Sequence, residues 1–188
     1  MTVLRAGSTV NYRVTFLEMT QRPGWDWPRL PLNQSAALVR AEAPPSWYFL
    51  SLYDAVGRDY AWDDRHRDDE AELDAWLADP EVALWSLMAR GWPQGFFVLD
   101  ARAVGVTDLA YFGLVPQSIG RGLGTFLLRT AILTAWERAG LQRLTVNTSS
   151  LDHPRALAGY QKQGFTVVGQ EARSRVLTRD RDPSRIPD

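Results

Sequence analysis

Apolar and polar residues follow short periodic runs along this chain, and each run predicts a secondary-structure element. Residues 12–18 alternate in polarity and predict an opening strand. A loop rich in proline and tryptophan follows at 22–34. Apolar residues at helical spacing predict a helix that begins after Pro45 and ends at Gly57, and a second helix over 68–78.

The rest of the pattern predicts a mixed α/β sheet. Three successive strands at 81–90, 94–102 and 104–115 form an antiparallel meander. The remaining predicted elements, in chain order, are a helix at 124–140, a strand at 143–148, a helix from Pro154 to Gln163 capped by Asp152 or His153, and strands at 165–171 and 172–178. We expect a single domain over residues 1–178 and a disordered, charged tail at 179–188.

Composition limits the classes of protein to which the chain can belong. It has 188 residues, of which 45% are hydrophobic, which suits one globular domain with a sizeable core. The net charge of −1 gives no general attraction to nucleic acid or to anionic membranes, and neither partner is expected. The absence of cysteine excludes disulfides, thiolate metal sites and a covalent cysteine intermediate. Without an apolar leader or a membrane-spanning run, the expected location is cytoplasmic.

A glycine-rich loop between the strand at 104–115 and the following helix is a candidate anion site. Unpaired amides at the start of a helix and the positive end of its dipole favour a phosphate group, and Arg121 can add charge. The alternative is a tight turn that needs glycine for positive φ. A dinucleotide fingerprint would need glycine where Thr125 stands, and a phosphate-binding loop of the Gly-Lys-Ser/Thr type is absent.

Two motifs resemble those of the GCN5-related N-acetyltransferase (GNAT) superfamily. Residues Ile119–Gly124 are similar to its pattern Gln/Arg-x-x-Gly-x-Gly/Ala, with isoleucine in place of the first residue. A second, later set is similar to the pattern Asn-x-x-Ala-x-x-x-Tyr-x-x-x-Gly-Phe, with His153 in place of asparagine. Its matching members are Ala156, Tyr160, Gly164 and Phe165. The two motifs stand in the family's order and cover roughly the C-terminal half of the chain.

This resemblance implies the GNAT fold, with a mixed, mostly antiparallel sheet of six or seven strands and about four helices. It also implies transfer of an acetyl group from acetyl-CoA to a primary amine of a small molecule or peptide. Without cysteine, direct transfer in a ternary complex is expected. The residues it assigns to coenzyme A are Leu114, Val115, Ile119, Gly120, Arg121, Gly122, Leu123, Gly124, Thr125, Asn147 and Tyr160. A homodimer is compatible with the resemblance, and no metal site is expected because the two histidines lack ligand spacing.

The resemblance also assigns two catalytic roles. Tyr160 matches the family's general acid, which protonates the departing thiolate, and the alternative is a tyrosine packed in the core. Asp108 stands where some members have a general-base glutamate, and it could act directly or through a water molecule. The alternative for Asp108 is a polar residue near the start of a strand. Asn147 could bind the pantetheine arm or the substrate, or cap a loop.

The resemblance implies an acceptor site built from the first helices and the loop between them, a region in which aromatic and acidic residues are frequent. Aromatic rings and carboxylates together suit a cationic amine. The residues predicted to bind the acceptor are Trp25, Trp27, Tyr53, Trp62 and Asp108. The alternative is that most of these aromatic side chains are core residues. A small amine, an amino acid, a polyamine, an antibiotic and a peptide N-terminus all stay open.

Two other classes of function compete with an active acetyltransferase. The first is a module with the GNAT fold that binds acyl-CoA as a sensor without turnover. The presence of both Tyr160 and Asp108 favours the enzyme. The second is a member of a toxin–antitoxin or ribosomal-modification system that acts on RNA or protein, and the mild net charge argues against direct nucleic-acid binding.

Overall fold

The structure, a computed structural model, describes residues 3–30 and 36–187; residues 31–34 of the predicted loop lie outside the described part. The strands are β1 (Thr9–Met19), β2 (Ala36–Ala41), β3 (Val82–Ala89), β4 (Trp92–Asp100), β5 (Val106–Leu114), β6 (Arg143–Ser149) and β7 (Thr166–Val176). The α-helices are α1 (Ser46–Gly57), α2 (Glu70–Ala78), α3 (Leu123–Trp136) and α4 (Ala156–Lys162). Within the described residues, no helix is long and apolar enough to cross a membrane.

The seven strands form one sheet in the order β2-β3-β4-β5-β6-β1-β7. All neighbours are antiparallel except β5 and β6, which are parallel. The predicted fold, a mixed and mostly antiparallel sheet with four helices, is therefore confirmed.

Two predicted details differ from the structure. Strand β2 is absent from the prediction, although it pairs with β3 along its whole length. The two strands predicted at 165–171 and 172–178 are one strand, β7, because both segments pair with β1. The order of the strands adds that β1 lies between β6 and β7, so the first strand of the chain occupies an interior position in the sheet.

The C-terminal residues 179–187, where the sequence predicts a disordered tail, form specific contacts with the domain. Arg181 pairs with Leu4 in an isolated bridge, and its buried guanidinium donates a hydrogen bond to the carbonyl oxygen of Leu151 at 3.0 Å. Asp180 accepts a hydrogen bond from Arg5 at 2.6 Å. The charges that suggested disorder are thus used in specific contacts.

Helices cover both faces of the sheet, and β4 shows why. Its run Phe96–Leu99 is apolar and buried without interruption, as expected for a strand with helices on both sides. Phe97 and Leu99 join the cluster that includes α3 and α4, whereas Phe96 and Val98 join the cluster formed with α1 and α2.

The parallel pairing of β5 with β6 is short, and this opens the sheet. Only three residue pairs form, of which Asp108↔Thr145 is the last. On its other side β5 has a bulge, because Val98 pairs with Tyr111 while Leu99 pairs with Leu109, which leaves Ala110 as the extra residue. Since a bulge bends its strand, β5 diverges from β6 beyond this point.

Glycine is required at position 57, the last residue of α1, because the Trp62 side chain packs directly against it. A methyl group at Gly57 would lie 2.4 Å from three carbon atoms of Trp62. We expect Gly57→Ala to lower the free energy of unfolding by about 1–3 kcal/mol, because the partly buried ring of Trp62 must shift. The control is Gly159→Ala in α4, where no heavy atom lies within 4 Å of the added methyl group. Denaturant unfolding that shows equal stability for both variants would contradict this account.

Candidate functional site

A cleft of about 640 Å³ opens where β5 and β6 separate. Residues 109–114 of β5 form one wall, and residues 147–149 of β6 form the other. The glycine loop and α4 close one part of the cleft, while residues 60–64 and the strands β1 and β7 contribute to the rest. The cleft therefore joins the predicted anion loop to the predicted acceptor region.

The glycine loop has the backbone geometry of an anion site. Gly120 and Gly122 have φ values of +79° and +76°, a region that favours glycine. Gly122 is the N-cap of α3, and no side chain caps this helix. The amides of its first turn have no intrahelical partners, so they are available to an anion, and the helix dipole adds to their positive field.

Three cationic side chains of the cleft and its glycine loop are free to bind a ligand. Arg155 and Lys162 line the cleft, and the exposed Arg121 lies within the loop itself. In the part of the chain that the structure describes, none of the three forms an ion pair. Each of them can therefore pair with an anionic ligand.

Tyr160 lies on α4 and lines the cleft. Its ring packs edge-on against Phe112 and Phe165, with centroid distances of 6.2 and 5.8 Å. Its hydroxyl has no hydrogen-bond partner among residues 3–30 and 36–187. Burial raises the pKa of Tyr160 well above its usual value, and the charges of Asp152 and Asp108 raise it further. The hydroxyl is therefore protonated at neutral pH and free to donate.

Asp108 lies at the point where β5 and β6 part, but it does not line the cleft. It accepts a hydrogen bond from the Thr145 hydroxyl at 2.6 Å. Burial raises the pKa of Asp108, the Thr145 hydrogen bond lowers it, and the charge of Asp100 raises it. Asp108 thus lies beside the cleft, and one of its carboxylate oxygens already accepts the hydrogen bond from the Thr145 hydroxyl.

The other predicted residues divide into two groups. Those that line the cleft are Leu114, Ile119, Gly120, Gly122, Gly124, Thr125, Asn147, Tyr53 and Trp62. Five predicted residues lie outside the cleft lining. Val115 and Leu123 are buried in the core, Arg121 is exposed, and the other two are Trp25 and Trp27. The Trp25 ring lies 5.0 Å from the guanidinium carbon of Arg129, and Trp27 is 50% exposed. Neither tryptophan is near enough to form part of the cleft lining.

Two aromatic rings next to the cleft hold a cation of the protein itself. The guanidinium carbon of Arg65 lies 4.5 Å from the ring centroid of Trp76 and 5.5 Å from that of Tyr111. Its Nε donates a hydrogen bond to the Tyr111 hydroxyl at 2.6 Å. Neither ring belongs to the residues predicted to bind the acceptor, and this cation–π contact stabilises the fold beside them.

Asp152 is the functional candidate that the sequence pattern did not identify. It was expected only as a helix cap, but α4 begins at Ala156 with Arg155 as its N-cap and no capping side chain. The Asp152 carboxylate instead binds the end of β6, where it accepts hydrogen bonds from the Thr148 hydroxyl at 2.9 Å and the Ser149 amide at 2.6 Å. In the sequence, only the spacing of Thr148, Ser149 and Asp152 indicates the turn that these hydrogen bonds form after β6.

An ion-pair cluster ties the loop after α1 to β7. The buried carboxylate of Asp63 pairs with Arg175 and accepts a hydrogen bond from the Thr178 hydroxyl at 2.5 Å. Arg175 also binds the neighbouring Asp64 at 2.9 Å, but the side chain of Asp64 is 72% exposed. Because Asp64 and Arg175 both line the cleft, this cluster holds two of its walls together.

Solved structures of other proteins share the fold of this chain. A GCN5-related N-acetyltransferase from Kribbella flavida aligns with 91% of this chain and 58% of its own, at 21% identity and a TM-score of 0.56. One from Sphaerobacter thermophilus aligns with 94% of this chain and 53% of its own, at 16% identity and a TM-score of 0.62. This chain therefore spans little more than half the length of these two proteins.

A shorter protein of the same fold has been solved with its ligand. A GNAT family acetyltransferase from Elizabethkingia anophelis, with acetyl-CoA bound, aligns with 71% of this chain and 78% of its own, at 18% identity and a TM-score of 0.51. None of the curated proteins compared with the chain matches it.

The fold is that of the GNAT class. The model of the acetyltransferase (GNAT) family matches residues 47–165, which extend from α1 to the end of the second motif. The chain belongs to this family.

The Asp63 cluster predicts a large difference between two adjacent carboxylates. We expect Asp63→Asn to lower the free energy of unfolding by about 3–5 kcal/mol, because it leaves the largely buried Arg175 without its main partner. Asp64→Asn removes the same charge one residue later, where solvent screens it, and we expect a loss below about 1 kcal/mol. Denaturant unfolding of both variants measures this difference. Equal losses would show that Asp63 does not hold the loop against β7.

Proposed function

We propose that this protein transfers an acetyl group from acetyl-CoA to a primary amine of a small molecule or peptide, by direct transfer in a ternary complex. The observation that supports this most is one cleft that joins an uncapped glycine loop to a free tyrosine hydroxyl. The separated strands β5 and β6 form the passage between the two.

The residues of the cleft suit the parts of acetyl-CoA. The pyrophosphate would bind the amides of the glycine loop, with Arg121 and nearby cations as further partners. Beyond Asp108, the edge of β5 that faces β6 has no strand partner, so its backbone groups can bind an extended pantetheine arm. Asn147 lies on the opposite wall and offers an amide to the same arm.

Tyr160 is the residue we propose as the acid that protonates the departing thiolate. A phenol can donate a proton to a thiolate because its pKa lies above that of a thiol. Burial raises this pKa further and keeps the hydroxyl protonated before the reaction. The aromatic contacts with Phe112 and Phe165 fix the ring within the cleft.

The alternative is a non-catalytic module that binds acyl-CoA. The free hydroxyl of Tyr160 inside the cleft favours the enzyme, since a packing role would not need a donor without a partner. The class of amine, the cytoplasmic location and a homodimer stay predictions of the sequence.

Two measurements on the wild-type protein test the proposal. Isothermal titration with acetyl-CoA should show one site per chain. A thiol-release assay with acetyl-CoA should show turnover with at least one member of a panel that contains benzylamine, 1,5-diaminopentane, an aminoglycoside and a tripeptide with a free N-terminus. The absence of acetyl-CoA binding would overturn the proposal, and binding without turnover on any amine would favour the sensory module.

Substitution of Tyr160 tests its role as the acid. We expect Tyr160→Phe to lower kcat by about 10²-fold or more, because the thiolate loses its proton donor. The dissociation constant of acetyl-CoA should stay within about threefold, because the ring and its contacts remain. Tyr48→Phe is the matched control, because Tyr48 is partly buried and lies outside the cleft. Its hydroxyl forms a hydrogen bond with the Ser86 hydroxyl at 3.0 Å. Equal kcat values for the two variants would remove Tyr160 from the proposed chemistry.

A further inference from the structure

The cleft contains two carboxylates among its described lining residues, and their surroundings differ. Asp64 is largely exposed and already pairs with Arg175 at 2.9 Å. Asp152 is partly buried and forms no ion pair within residues 3–30 and 36–187. A negative charge that lacks a cationic partner inside a cleft is suited to bind a cation from a ligand.

The hydrogen bonds of Asp152 leave one acceptor position open. Its Oδ2 accepts from the Thr148 hydroxyl and the Ser149 amide, and its Oδ1 accepts from the indole N–H of Trp62 at 3.1 Å. An ionised carboxylate has about four lone-pair positions, so one position on Oδ1 has no donor. All three donors are neutral, and none of them balances the charge.

The cation that influences the pKa of Asp152, Arg181, forms no hydrogen bond with it among the described residues. Arg181 contributes to the electrostatics of Asp152, but its guanidinium donates to the Leu151 carbonyl oxygen at 3.0 Å. The charge of Arg181 therefore favours the ionised form of Asp152 without occupying its free oxygen position.

Trp62 fixes this carboxylate between the two walls of the cleft. Asp152 follows β6. The Trp62 ring lies on the other side, with its centroid 5.6 Å from that of Tyr111 on β5 and 5.3 Å from that of Tyr53 on α1. The charge of Asp152 also raises the pKa of Tyr160 and of Tyr60, which both line the cleft. The carboxylate and the proposed acid are thus close enough to influence each other.

We propose that Asp152 binds the protonated primary amine of the acceptor and removes its proton, with Trp62 as the residue that positions it. This inference rests on the proposed acetyl transfer. It replaces Asp108 in the role of base, since Asp108 lies outside the cleft lining and Asp152 lies within it.

The proton balance of this step is complete. The ammonium group gives one proton to Asp152 and becomes a neutral amine. Its nitrogen forms a bond to the thioester carbonyl carbon, and the carbon–sulfur bond breaks. Tyr160 protonates the leaving thiolate and recovers a proton from the amide nitrogen. Asp152 then releases its proton to solvent, so the sum is one ammonium and one thioester converted to one amide, one thiol and one proton.

The surroundings of Asp152 favour this role. Burial raises the pKa of Asp152, while the Ser149 amide, the Trp62 indole, the Thr148 hydroxyl and the charge of Arg181 lower it. A raised pKa of the carboxyl group reduces the difference between its pKa and that of the amine, which makes proton removal easier. The ionisable groups that face Asp152 from the neighbouring elements are Tyr60, Tyr160 and Arg181.

The test compares Asp152→Asn with Asp108→Asn on the amine that the wild-type protein acetylates best. We expect Asp152→Asn to lower kcat/KM by about 10²-fold or more and to remove the acidic limb of the pH profile. The dissociation constant of acetyl-CoA, measured by titration, should change by less than about threefold. Asp108→Asn should lose less than about tenfold, and Asp152→Glu should restore part of the activity.

A second variant keeps the carboxylate and tests the same inference if Asp152→Asn does not fold. Trp62→Phe preserves an aromatic ring but removes the indole donor that lowers the pKa of Asp152. The acidic limb of the kcat/KM profile should therefore move to higher pH. An unmoved limb would contradict the inference.

The remaining outcomes separate the two proposals. Wild-type turnover with full activity in Asp152→Asn and a large loss in Asp108→Asn would overturn the role of Asp152 and leave the acetyl transfer intact. A wild-type protein that does not bind acetyl-CoA, or binds it and acetylates none of the amines, would overturn both.

Discussion

The short parallel pairing between β5 and β6 is the constraint on which the rest of this structure depends. The bulge at Ala110 bends β5, and the two strands separate beyond the pair formed by Asp108 and Thr145. The separation leaves backbone groups of β5 without a strand partner and opens the cleft. Such groups are costly to leave buried and unpaired, so an open cleft of this kind is suited to a ligand that can bind them.

Contacts from distant parts of the chain keep the walls of the cleft in place. Trp62 packs on Gly57 at the end of α1, and its indole N–H donates a hydrogen bond to Asp152. It therefore connects α1 to the end of β6. The C-terminal residues add a second connection, because Arg179 donates a hydrogen bond to the carbonyl oxygen of Trp62. The C-terminal segment therefore supports the part of the cleft wall that Trp62 forms.

The carboxylates near the cleft show how the environment of a side chain determines its chemistry. Asp63 is buried and balanced by Arg175, so its contribution is to stability. Asp108 is bound by a threonine hydroxyl beside the cleft. Asp152 has neutral donors, access to the cleft and, among the residues that the structure describes, no cation in an ion pair with it. Residue type would not have separated these three roles, since all are aspartates.

The local pattern of the chain determined the glycine loop, the helices that follow it, the meander of β3 to β5 and the position of Tyr160. These features depend on short-range rules, such as positive φ at Gly122 and helical spacing of apolar residues. Tertiary structure alone decided that β1 lies between β6 and β7, and that Trp25 and Trp27 lie outside the cleft while Asp152 lines it. The reason is physical: strand order and side-chain convergence depend on contacts between residues far apart in sequence, and no local period encodes them.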